Sequence, residues 1–164
     1  MESNDSFSPE KVQASYRELS AAAADLNQMS EQMSKTVSIL NDGLQKLNLG
    51  ISAWVKISGN ELPDGTFWRR EIGYAKLHGS WGIALRKVRG SRLVPTEEED
   101  DKYTFDEAPR WQRIEGVAKI PDLLEKLTKQ ANEITKRIAE ATFRAKEIAA
   151  AINQVTASEP ATRK

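Results

Sequence analysis

The chain has 164 residues, with 24 Lys+Arg against 24 Asp+Glu, one His and no Cys. That length supports one cored domain, or one domain with an extended element. The absence of cysteine excludes disulfides, thiolate metal sites and a cysteine nucleophile, and a single histidine excludes multi-histidine metal chemistry.

Neutrality here is a cancellation of blocks. Residues 1–48 carry 4 basic and 7 acidic groups, 49–92 carry 8 and 3, 93–107 carry 1 and 7, and 108–164 carry 11 and 7. All four Trp lie between Trp54 and Trp111, and eight of the nine Gly between Gly50 and Gly116. A turn-rich, β-rich insert between two helical flanks has that composition. The expected fold is α+β, a long antiparallel coiled-coil hairpin of two arms with a small antiparallel β-sheet head inserted between them. Residues 1–8 and 157–164 are expected to be disordered tails. The arms are placed at 9–49 and 120–156, and the head at 50–119. No leader or apolar membrane span is visible, so a cytoplasmic location is the default expectation.

In chain order, the first arm carries Val12, Tyr16, Leu19, Ala23, Leu26, Ser30, Met33, Val37, Leu40, Leu44 and Leu47, spaced alternately by four and three. This is a heptad stripe, which seeks a partner helix. Ser8, Pro9 and Glu10 make a suitable helix start, and Leu49-Gly50 a stop. The flanking positions are mostly uncharged. Ala21 and Ala22, Met29, and in the second arm Phe143 and Ala150 widen the apolar face beyond a single seam, which suggests homo-oligomerisation through the arms.

The head begins with alternation at Ile51, Ala53, Val55 and Ile57, the pattern of a half-buried strand. Pro63-Asp64-Gly65 is a turn signal. Extended segments follow at 66–70, 71–77 and 81–89. A hairpin turn at Gly79-Ser80 would set Tyr74 opposite Leu85 and Gly73 opposite Arg86. That pairing leaves one sheet face bulky and the other nearly bare, open to a helix or a flat ligand, and a helix is the expected cover.

Trp68, Arg69, Arg70, His78, Trp81, Arg86, Arg89 and Arg92 form a basic and aromatic cluster suited to a protein surface or a flat anionic ligand such as a nucleotide. Nucleic acid is the alternative reading, and it predicts binding that weakens steeply with salt. A purely structural oligomer is the third. The acidic run at 96–101 is expected to be a solvated loop; an internal competitor for the basic patch and a calcium site are the weaker readings, the latter lacking EF-hand spacing. A short helix near 108–118 precedes the second arm.

The second arm repeats the heptad with Ile120, Leu124, Leu127, Ala131, Ile134, Ile138, Ala141, Ala145, Ile148, Ile152 and Val155. Antiparallel pairing of residues whose numbers add to 164 matches a with d positions along both arms, setting Leu26 against Ile138 and Leu19 against Ala145. No catalytic motif, metal site or cofactor-binding signature is present. Only His78 offers a general base. The sequence therefore points to a non-enzymatic interaction protein.

Overall fold

The computed structural model describes residues 8–158; of the tails expected at 1–8 and 157–164, residues 1–7 and 159–164 lie outside the described residues. The chain forms α1 (Pro9–Lys46), β1 (Ala53–Glu61), β2 (Thr66–Leu77), β3 (Ser80–Ser91), a 3-10 turn (Pro95–Glu97), β4 (Glu99–Thr104), α2 (Arg110–Val117) and α3 (Ile120–Ser158). Among the described residues the class is α+β: three α-helices and an antiparallel meander with strand order β1-β2-β3-β4. Residues 157 and 158 belong to α3, not to a tail. α1 stops at Lys46, ahead of the expected Leu49-Gly50, because Asn48 already turns left-handed (φ 49°).

The β2–β3 turn lies one residue earlier than expected. Leu77 pairs with Ser80, so His78 and Gly79 are the two central residues, with φ of 49° and 83°. Two positive φ values match the right-handed strand twist, and the glycine reaches its conformation without a Cβ penalty. The slip moves every pairing by two residues, which leaves the faces unchanged because side chains alternate with period two. It changes partners, however: Tyr74 faces Ile83, Ile72 faces Leu85, and Glu71 faces Arg86.

The helices cover the bulky face. Ile72, Tyr74, Ile83 and Leu85 of the sheet share one buried cluster with Val37 and Leu44 of α1 and Ile120, Leu123 and Leu127 of α3. Each fully buried side chain of this size contributes about 1.5–3 kcal/mol. α2 lies on the same face, where a Cβ at Gly116 would meet Leu85, Ile72 and Ile57. The expectation of a helix on the bare face is therefore corrected. Instead the Trp54 indole lies across Gly73, so close that a Cβ there would collide with the ring and with the Ala53 carbonyl. An aromatic side chain from the neighbouring strand does the covering that a helix was expected to do.

Both long helices run toward the β2–β3 turn. Along α1, Asn27 and Ser34 meet Arg110 and Arg113 of α2, Asn41 meets Ile83, and Gln45 meets Trp81 beside the turn. α3 follows Gly116 at the level of Ile72, then Lys126 donates to the Trp54 carbonyl, and Ile134 lies by Ile51. α1 ends at that edge of the head and α3 continues past it. Their free halves therefore leave the head on opposite sides, and the intrachain antiparallel hairpin is corrected. The stripe residues meant to meet there are open: Leu19 is 65% exposed, Ile138 60% and Ile148 61%. The cause is α2, which starts beside Asn27 and carries the chain back over the sheet before α3 begins.

Candidate functional site

Carboxylates of the same chain meet most of the basic cluster. The acidic run is not a loop. After the 3-10 turn it becomes β4, which pairs with β3 so that Glu99 faces Arg89, Asp100 faces Val88 and Asp101 faces Lys87. Strand alternation sends successive carboxylates to opposite faces, and among the described residues no group of three or more acids, His or Cys is placed to hold a metal.

At the centre of the helix-free face, Glu71 is 8% exposed and bridges two guanidiniums. Arg86 Nε donates to its Oε2 (2.5 Å) and Arg69 Nε to its Oε1 (3.2 Å). Arg86 Nη1 also reaches Asp100 Oδ2 at 3.2 Å, and its guanidinium lies 4.3 Å from the centre of the Trp54 ring. Arg69 has Glu98 at 3.7 Å and stacks on Phe67. Arg89 meets Glu99 at 2.8 Å, and Arg92 meets Glu61 at 2.8 Å. An external anion would have to displace a resident carboxylate at each of these positions.

Arg70 is held differently. Its guanidinium lies 4.7 Å from the Trp68 ring and 4.3 Å from the Trp111 ring, between an indole of the sheet and one of α2. Among the described residues it has no carboxylate partner. The stacking pins α2 to the sheet through cation–π attraction, about 0.5–2 kcal/mol per ring. Trp81 stacks on Tyr74 with ring centres 5.5 Å apart and belongs to the α1 interface, away from the arginines. Burial holds the Tyr74 hydroxyl above its ordinary pKa.

His78 occupies the left-handed turn, largely exposed, with Glu107 Oε2 3.8 Å from its Nε2. Glu107 chiefly accepts the Thr104 backbone N–H (2.9 Å), which with Thr104's side chain and the nearby His78 holds its carboxyl below the usual range. A shallow cleft of about 280 Å³ lies at the other end of the β1–β2 pair, lined by Lys56, Asn60, Phe67, Trp68, Arg69 and Arg92. The structure thus brings Trp68, Arg69 and Arg92 together, spreads Arg86 and Arg89 across two faces, and sets His78 and Trp81 at the turn.

The expected oligomerisation residues lie outside the head. Ala21, Ala22, Met29, Phe143 and Ala150 are all exposed on the free halves of α1 and α3. Around them the stripe residues Val12, Tyr16, Leu19 and Leu26 on α1, and Ile138, Ile148, Ile152 and Val155 on α3, are exposed as well. Large apolar side chains in open rows of this length are the feature of the molecule that most needs a partner.

Sequence reasoning missed Asn27, Ser34 and Asn41. These flank the α1 stripe at intervals of seven and hold, in turn, Arg110 (3.0 Å), Arg113 (2.9 Å) and the Ile83 backbone N–H (2.6 Å). Their spacing was visible, but nothing in it distinguished a solvent-facing flank from a ladder of hydrogen bonds. No known protein family, curated protein or solved structure matches this chain. No helix among the described residues is long and apolar enough to cross a membrane.

Proposed function

We propose that this protein is a non-enzymatic assembly protein, in which a rigid β head carries two long helices and the helices bind other helices through their heptad faces. The observation that carries this reading is the exposure of both stripes over their free halves, while the same stripes nearer the head bury Val37, Leu44 and Leu127. One heptad pattern thus serves two purposes: part anchors each helix to the sheet, and the remainder faces outward, suited to a coiled-coil partner. The ion-paired state of Arg69, Arg86, Arg89 and Arg92 favours the arms over the head as the binding element.

The test is sedimentation equilibrium of the full chain with Leu19→Glu and Ile148→Glu beside it. The wild type is expected above the mass of one chain, and each charged variant is expected to shift toward a single chain with its helicity retained. A wild type that sediments as a single chain at every concentration overturns the reading. Because the seam is apolar, association is also expected to persist in high salt, where contacts to phosphate would weaken.

A further inference from the structure

Resting on the reading of the arms as helix-binding elements, we infer that the partner is a second copy of this chain, with α1 of each copy lying antiparallel to α3 of the other in a closed two-fold dimer. The register that fails within one chain is available between two. Adding numbers to 164 sets Val12 on Ile152, Tyr16 on Ile148, Leu19 on Ala145, Ala23 on Ala141 and Leu26 on Ile138. Every layer joins an a to a d position, three of them set two large apolar side chains together, and Leu19 faces the small Ala145.

The direction of the helices makes this pairing close. α1 and α3 run the same way over the sheet, and their free halves leave on opposite sides. Antiparallel pairing of α1 with a second copy's α3 therefore inverts that copy, which brings its α1 onto the first copy's α3. One two-fold axis forms both seams, so the interface is isologous and stops at two chains. Pairing like arms at each end would instead build an open array. Over the head the same sum pairs Val37 with Leu127 and Leu44 with Ile120, which are buried against their own sheet, so the seam belongs to the free halves, with Leu40 and Leu124 partly exposed at its inner end.

The flanks agree in charge. α1 presents uncharged Ser20, Ala22 and Met29 beside its free seam. α3 presents Thr135 and Thr142 on one flank, each hydroxyl donating to its own helix's carbonyl four residues back (2.8 Å), which leaves the methyl groups for packing. Its other flank carries Arg137 and Arg144, which two antiparallel α3 helices would set against each other and the uncharged α1 flank does not.

The chain has no cysteine, so introduced thiols report geometry directly. Two differently tagged chains, one Ala23→Cys and one Ala141→Cys, are co-expressed and oxidised. The expected result is a shift from one chain to a covalent pair carrying both tags, with none from the off-seam pair Ala21→Cys and Ala139→Cys. Sedimentation of the unmodified protein at two chains accompanies it. Cross-linking of Ala23→Cys to itself, or species beyond two chains, overturns the closed dimer. An oligomer without the mixed cross-link overturns the pairing but leaves the helix-binding reading standing. A protein that stays a single chain overturns both.

Discussion

Glu71 sits between Arg69 and Arg86 with its side chain nearly out of solvent, so both its oxygens are committed, and it is the shorter ion pair of each guanidinium, ahead of Glu98 and Asp100. Removing Glu71 takes the shorter ion pair from two partly buried guanidiniums and leaves each with one more distant carboxylate. Glu71→Ala is expected to cost about 2–4 kcal/mol in urea unfolding, with Arg86→Met costing less because Glu71 keeps Arg69. Gly73 is set by sterics: its missing Cβ is the space under the Trp54 ring. Gly73→Ala is expected to lower the urea midpoint by the equivalent of about 1–3 kcal/mol as the indole is displaced. In the head, acid sensitivity follows from two carboxylates, beside Glu10 and Glu31 of α1, whose pKa values are also lowered. Asp64 accepts the Thr66 hydroxyl and backbone N–H, and Glu107 the Thr104 N–H, so both titrate lower in the fold than in the unfolded chain. Their contribution is complete above the unfolded values, 3.8 and 4.5, and is lost as pH falls through the folded ones. Thermal unfolding followed from pH 6 downward is expected to show falling stability from about pH 4.5, and Asp64→Asn is expected to flatten that slope.

Among the elements, the packing of α1 on the sheet turns on Asn41. β4 ends at Thr104 opposite Ala84, so the next edge N–H of β3, that of Ile83, has no strand to meet. Asn41 supplies the acceptor from the helix. Asn41→Ala is expected to cost about 1–3 kcal/mol, the penalty of leaving that group unmade, and to speed hydrogen exchange at Ile83. The turn at His78-Gly79 offers the opposite experiment. A non-glycine residue in left-handed geometry is strained, and asparagine tolerates it best. His78→Asn is expected to raise stability by about 0.5–1 kcal/mol in thermal unfolding, even though Glu107 then has no imidazole beside it. The element boundaries were largely legible, because a period of 3.5 and a period of 2 are local properties. The turn position was not: Gly79 fits a first-position role after His78 or a second-position role with it, and Tyr74 opposite Ile83 or Leu85 both preserve the faces. The acidic run reads as a loop by composition, since strand propensity of Glu and Asp is low. It pairs because Arg86, Lys87 and Arg89 on β3 neutralise it.

For the whole molecule, heptad stripes, uncharged flanks and a matched antiparallel register were all readable along the chain, and they state that two apolar helices need partners. They do not state whether a partner lies in the same chain. That was decided by α2, an eight-residue helix whose Arg110 and Arg113 grip Asn27 and Ser34 and whose Trp111 closes on Arg70. It sends α3 over the sheet in the same sense as α1, so the complementary stripes end apart. Likewise the residue types of the head announced a cationic, aromatic surface, whereas the sheet register placed Glu71, Glu99 and Asp100 against those arginines. Periodicity and composition are local and survive in any arrangement that respects them. Chain direction and cross-strand partnership are long-range, and only the packed structure chose among the arrangements that the same local pattern allows.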